Sequence, residues 1–327
     1  MDKGLCWGIL GTGGIARTFT RDIQAAGLRV VSVGSRTKDA AEAIGRELGV
    51  PGRHGSYEAL CADPGVDIVY VATPHPFHHA NALMALKAGK HVLLEKPFTI
   101  NSREARELVA EARTRGLFLM EAMWTRFLPT MLALRSAISE GTIGDITAIL
   151  ADHCQYLPME KAKRLHLPEL GGGALLDLGV YPLSFAHMLL GKPSRLQAAG
   201  LLTALGVDQR VSLILDWAGG QEACLHTDML AQGPNRAAVI GTKARIEVDP
   251  VWYCQTSFTV LAPDGKVLRR YEDRVEGRGM QYQAFEVERC VKAGLMESPT
   301  MGHEASLEVM GILDEARALV GVRYPGE

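Results

Sequence analysis

Two short stretches of this 327-residue chain carry side chains whose types and spacing could do chemistry together. In "HVLLEKP" (91–97), four residues of buried-strand character deliver Glu95 and Lys96 side by side. Pro97 biases the lysine away from helical angles and fixes the direction of its side chain. A lysine held beside a cationic cofactor ring has its own charged form disfavoured, which draws its pKa toward the range of a working acid or base. The other reading is a solvent-facing lysine with Glu95 as its surface ion-pair partner. In "GGGALLDLGVYP" (171–182), a glycine-rich start opens a helix, and Asp177 and Tyr181, four apart, share one face. A phenol near an ammonium and a carboxylate can exchange a proton with a carbinol. The lysine would lower the tyrosine pKa, and Asp177 would orient the pair or anchor a substrate hydroxyl. The alternative is a core tyrosine whose hydroxyl a neighbour satisfies.

The cofactor is read from "CWGILGTGGIA" (6–16). Gly11-Thr12-Gly13-Gly14-Ile15-Ala16 is a G-x-G-x-x-A following a strand and opening a helix. Gly11 permits the tight turn, Gly13 lets the backbone approach a pyrophosphate, and Ala16 is small enough for close helix–strand packing. The helix start offers free N–H groups and partial positive charge to phosphates. The second strand ends "VVSVGSR", with Ser35 and Arg36 where an NAD site would place a carboxylate for the ribose hydroxyls. A guanidinium there can pair with a 2′-phosphate, so NADP is expected in preference to NAD; otherwise Arg36 is a surface arginine at a strand end.

These residues need a frame. From 5 to 120, short β-branched runs alternate with helical stretches (14–26, 39–48, 77–88, 102–115), the pattern of right-handed βαβ units and a parallel sheet covered on both faces. Asn101 is the expected cap of the 102–115 helix. After about 124 the texture changes. A helix over 128–139, a strand near "ITAILADH", strands with hairpin-like turns ("WAGGQ", "APDGK") from about 195 to 262, and helices near 280–293 and 303–320 follow. The layout is a nucleotide-type doubly wound α/β domain over 1–123 and an α+β domain with a large, open, mostly antiparallel sheet over 124–327.

Composition narrows the class. The chain is 47% hydrophobic and 22% charged with a formal net charge of −2, and gives no sign of nucleic-acid or membrane partners. Its opening run is too short and glycine-rich for a signal peptide, and no stretch of about 18 apolar residues able to span a bilayer is expected. Six scattered cysteines form no C-x-x-C pair and read as free thiols of a reduced, cytoplasmic protein. His75, His78 and His79 in "TPHPFHH" bring at most two rings to one helical face with no carboxylate or cysteine nearby, so no metal is expected.

"GTGGIA", "DIVYVATPHPFHHANALMALKAGKHVLLEKP" and "ELGGGALLDLGVYP" together resemble the glucose–fructose oxidoreductase/inositol dehydrogenase/MocA family. "EAMWTRFLP" with "GGGALLDLGVYP" resembles its branch of dimeric trans-dihydrodiol dehydrogenases and NADP-dependent D-xylose dehydrogenases. The resemblance covers nearly the whole chain. It implies a Rossmann domain, a C-terminal domain whose open sheet serves homodimers or higher oligomers, and a catalytic-site role for the E-K-P lysine. Other branches carry His at the position of Tyr181. Thr73, Pro74 and His75 are expected under the nicotinamide half of the cofactor, with His78 and Glu95 adding to the cofactor site. Trp124, Arg126 and Phe127 are expected at the substrate wall, a core tryptophan at a domain junction being the alternative for Trp124. Where this branch carries aromatics after the strand near 152, "DHCQYLP" places His153, Cys154 and Gln155, which leans toward a polyol or sugar over an aromatic diol. The expectation is an NADP-dependent dehydrogenase or reductase acting on a secondary alcohol of a sugar, polyol or cyclic diol, with Lys96, Tyr181 and Asp177 handling the proton. The competing expectation is a non-catalytic NADP-sensing protein on the same fold.

Overall fold

The apolar runs between Cys6 and Ala122 form six parallel strands: β1 (Cys6–Leu10), β2 (Arg29–Gly34), β3 (Gly52–His54), β4 (Ile68–Val71), β5 (His91–Glu95) and β6 (Leu119–Ala122). Their order, β3-β2-β1-β4-β5-β6, reverses direction between β1 and β4. This is the doubly wound arrangement in which ligands gather at the carboxyl ends of the strands around the reversal. The computed structural model describes residues 4–327. Five helices connect these strands: α1 (Gly14–Ala25), α2 (Lys38–Glu47), α3 (Tyr57–Cys61), α4 (His78–Lys87) and α5 (Ser102–Arg115). Both α1 and α5 form for legible reasons. α1 presents Ala16, Phe19 and Ile23 to the sheet, a stripe at helical spacing. α5 is capped by the Asn101 side chain, which accepts from Glu104 N at 3.1 Å, and ends at Gly116 in the left-handed region, φ 64°.

The second half of the chain supplies α6 (Pro129–Ser139), β7 (Ile146–Cys154), α7 (Met159–Ala162), α8 (Val180–Leu190), and the strands β8 (Arg195–Leu202), β9 (Asp208–Asp216), β10 (Glu222–Asp228), β11 (Ala237–Gly241), β12 (Arg245–Val248), β13 (Phe258–Leu261) and β14 (Val267–Tyr271). They form one eight-stranded sheet, β14-β13-β12-β11-β7-β10-β9-β8, antiparallel throughout except for the β7–β10 pair. Along β9 buried and exposed residues alternate, so one face of the sheet is covered and the other is not. Contrary to the expectation that no stretch would be apolar and long enough, Pro168–Leu190 passes as a membrane span by length and composition; 83% of its most apolar 18-residue window is buried, so it is a core segment.

Packing groups the chain into two units, one running to Trp124 and including Glu276–Leu307, the other comprising Thr125–Val275 and Glu308–Glu327. Residues 276–307, assigned from sequence to the 124–327 domain, thus belong with the first unit. Specific polar contacts hold them there. Asp22 of α1 accepts from the backbone N–H of Arg278 and Met280, both at 3.0 Å. Trp7 Nε1 donates to Glu288 of α9 (Gln281–Lys292) at 3.3 Å. Ser306, in α10 (His303–Val320), donates to the buried Glu121 at 3.0 Å. None of these long-range partners leaves a local pattern in sequence.

Candidate active site

Register assembles the first unit's candidate residues. Leu10 pairs with both Gly34 and Val71, and Val71 pairs with Leu94. The segments that follow, at Gly11, Ser35, Thr73 and Glu95–Lys96, therefore leave the sheet side by side at its carboxyl edge, flanking the reversal of strand order. Gly11 has φ 116°, and a Cβ there would stand 2.6 Å from Ala72 O, so only glycine fits the turn. Gly13 and Gly14 differ: a Cβ on either meets no protein atom within 4 Å. Among the described residues no side chain caps α1, and no acid stands in its first turn. The loop is braced from behind by Arg17, which donates to Thr12 O and Gly13 O. Open backbone, free N–H groups and partial positive charge fit a dinucleotide pyrophosphate; Thr12 and Ile15, half-buried, complete the loop. Beside it Ser35 is buried, its N–H donating to His54 O at 3.1 Å, while Arg36 is exposed at the end of β2.

Glu95 and Lys96 part company. Glu95 is 4% exposed, accepts from the Tyr70 hydroxyl, and takes the Lys96 N–H on its second oxygen at 3.2 Å. Tyr70 in turn stacks on Phe19 of α1, ring centroids 3.8 Å apart. The carboxylate is buried and acts as an internal anchor for the lysine backbone. Lys96 is half-buried and its bond to Pro97 is cis.

His78, expected at the cofactor, is fully buried, its Nδ1 2.8 Å from Pro97 O and its Nε2 2.8 Å from Thr73 O. Two carbonyl neighbours favour the charged ring, but complete burial outweighs them and lowers the pKa to about 4, with the Lys96 ammonium acting in the same direction. His78 thus ties the Thr73 loop to the Pro97 loop. Asn81 adds a bond to the Thr73 hydroxyl at 3.1 Å. His75 lies edge-on to His78 at 5.7 Å and is buried, while Pro74 is exposed. Trp124 is buried under the Arg278 guanidinium, 5.2 Å from the ring. Among the described residues no cluster of three or more His, Cys, Asp or Glu side chains is placed to hold a metal.

In the second unit the glycine run ends in a π-helical turn, Leu175–Gly179, that continues into α8. Such turns recur at functional sites. This one carries Asp177, and Tyr181 follows in the first turn of α8; each is 7% exposed. Asp177 pairs with Arg164 at 2.9 Å. Tyr181 meets the edge of His153 at 5.0 Å, and His153 stacks on Tyr253 at 3.6 Å. Gln155 Nε2 lies 2.7 Å from His153 Nε2 and 3.3 Å from the Tyr253 hydroxyl. The polar group expected from "DHCQYLP" is therefore His153 and Gln155. Cys154, one residue out of phase, turns away against Gly233 with its N–H bonded to Asn235 at 2.8 Å. Tyr253, from a loop after β12, was not foreseen, and makes the surroundings of Tyr181 aromatic as well as polar. Arg126, expected at the substrate wall, sends Nε to Ser184 Oγ at 2.8 Å and Nη2 to Ser184 O at 2.9 Å. Buried there, it braces α8; Phe127 beside it is buried too.

Comparison with known proteins accords with this geometry. Residues 5–123 match the model of an oxidoreductase family with an NAD-binding Rossmann fold, and residues 131–247 match the GFO/IDH/MocA C-terminal domain. Trans-1,2-dihydrobenzene-1,2-diol dehydrogenase from Sus scrofa is 39% identical over 332 residues, covering 98% of each chain. The Mus musculus protein of the same name is 38% identical over 338 residues, again 98% of each. Among solved structures, a 3-ketoreductase from Actinomadura kijaniata in complex with NADP and TDP-benzene is 28% identical with a TM-score of 0.83, covering 98% of this chain and 99% of its own. With both halves matched in order and relatives alike along their whole length, the chain belongs to the GFO/IDH/MocA oxidoreductase family.

Proposed function

We propose that this protein is an NADP-dependent dehydrogenase or reductase acting on the CH–OH group of a small cyclic diol, polyol or sugar. The observation that carries the reading is full-length likeness to diol dehydrogenases in a chain whose Lys96 leaves the same strand-end edge as an open, acid-free dinucleotide loop. Gly11–Ile15 would hold the pyrophosphate, Ser35 and Arg36 the adenosine ribose with its phosphate, and Thr73–His75 the nicotinamide half. The bound nicotinamide supplies a carbon that accepts or gives a hydride. Lys96 and Tyr181 manage the hydroxyl proton, and Asp177, ion-paired with Arg164, orients the donor or anchors a second substrate hydroxyl. Exposure of Arg36 beyond the end of β2 supports NADP over NAD, since a guanidinium matches a phosphate bidentately.

The uncovered face of the eight-stranded sheet supports a homodimer or higher homo-oligomer. Leu150 and Ile214, 44% and 39% exposed, lie in one row across Cys224 on adjacent strands, an apolar row that association would bury. The buried thiols Cys61, Cys154 and Cys290, each pushed up to about 11 by burial, suit a reduced cytoplasmic setting. A panel of cyclic diols, polyols and sugars with NADP and with NAD, read by absorbance of the reduced nicotinamide, tests the activity. Turnover with at least one substrate is expected. Nucleotide binding without turnover across the panel would replace the enzyme with a nucleotide sensor.

A further inference from the structure

We propose that Asp208 is a positioning residue for Asp177 and Tyr181, its carboxyl group fixing the entry of the helical segment that carries both. The proposal rests on the reading of those two residues as reaction groups. Asp208 opens β9 and is fully buried. Its Oδ2 accepts from Leu175 N at 2.6 Å, at the first residue of the π-helical turn. Its Oδ1 lies against Gly173, where a Cβ would stand 2.1 Å from it. Gly173, at φ 114°, is glycine for that contact as well as for its backbone angle.

The same glycines are also held by the C-terminal segment. Tyr324 donates its hydroxyl to Gly172 O at 2.5 Å. That ring lies 4.8 Å from the Arg317 guanidinium, which is paired with Glu327 and Asp314 at 2.8 Å each. Gly172 N and Gly173 N donate to Leu167 O and Leu165 O, at 3.1 and 2.8 Å. The chain therefore enters the helical segment held at Gly172, Gly173 and Leu175 by several separate contacts, a turn before Asp177. A shift at this entry is passed along the segment as a rotation of Asp177 and Tyr181, and small misplacements of reacting groups cost turnover steeply.

Three variants and two readouts test this. D208A should lower kcat by about ten- to hundredfold while leaving KM for NADP within about twofold of wild type, the pattern of lost transition-state alignment. D208N keeps an acceptor oxygen for Leu175 N and should recover most of that loss. Y324F, which removes the hydroxyl that holds Gly172 O, should lower kcat severalfold in the same pattern. Hydrogen exchange across 173–181 should accelerate in D208A and Y324F and stay unchanged across 6–34. An active wild type whose D208A and Y324F variants keep both kcat and exchange overturns the proposal alone. Should D208A fail to fold, Y324F decides, and its unchanged kcat and exchange overturn the proposal. A wild type silent on every substrate defeats the functional reading, and this proposal with it.

Discussion

The amine of Lys96 and the phenol of Tyr181 are the two side chains on which turnover depends in this account. Replacing Lys96 with Met keeps the length of the side chain and removes its charge, and kcat should fall by about a hundredfold or more, the contribution of a positioned acid–base group. Tyr181→Phe should cost about as much. On the proposal that both groups serve one proton, the K96M/Y181F double variant should be scarcely slower than the worse single one; fully multiplicative losses in steady-state kcat would show that they act in separate steps. Arg36 is tested by affinity instead. Its replacement by Ala should raise Kd for NADP by at least about tenfold and barely change that for NAD, since a charge-assisted pair with phosphate contributes on that order; equal weakening in fluorescence titrations would remove Arg36 from the 2′-phosphate. The residues proposed for this chemistry are ones that local signals pick out. Glycines, an acid-free strand end and the Lys–Pro pair act locally. What Glu95 does was not legible, since the Tyr70 that draws it inward lies 25 residues away.

At the scale of elements, the glycine turn after β1 and the segment after the second glycine run behave differently. Gly11→Ala should destabilise the first unit by about 1–3 kcal/mol, because the new methyl meets Ala72 O and the backbone angle is costly for alanine. Chemical denaturation reads this directly, and a loss near zero would contradict the tight-turn account. Asp208 carries a pH signature. Burial raises its pKa to about 7, so between the ordinary carboxyl range near 4 and about 7 the folded chain holds a proton that the unfolded chain has released. Its contribution to stability is therefore complete below that window and declines as pH rises through it. Of the groups around it, the Leu175 N–H and then Arg317 oppose the shift, whereas Tyr324 is itself held up by burial and by Asp208; Asp314 and Glu327 pair with Arg317. His78 acts oppositely, its lowered pKa making stability rise with pH between about 4 and 6.5, so the wild-type curve alone mixes the two. The difference between D208N and wild type isolates Asp208. It should move in favour of D208N by a few kcal/mol, at about 1.4 per pH unit, from about pH 4 to about pH 7; a pH-independent difference would contradict a raised Asp208. The βαβ order and the hairpins at "WAGGQ" and "APDGK" were readable because turn residues and strand periodicity are local. The π-helical turn, the short β3 and the cap from Asp208 were not, because that cap reaches across 33 residues.

For the whole molecule, the two-part division was visible in the change of texture near residue 124. The return of 276–307 to the first unit was not, since it is held by Asp22 and Trp7 from the far end of the chain. The open sheet makes a quantitative statement about assembly. Sedimentation at micromolar concentration should give a dimer or larger species, and Leu150→Lys with Ile214→Lys should shift it to monomer; a wild-type monomer would contradict the association of that face. Above all, the account holds that this chain moves a hydride between a carbinol carbon and nicotinamide, and isotope transfer tests that most directly. A diol or sugar from the active panel, carrying deuterium on its reacting carbon, should yield reduced NADP with one deuterium at the nicotinamide ring, found by mass spectrometry. Reduced cofactor without the label, or none formed from any substrate, would contradict it.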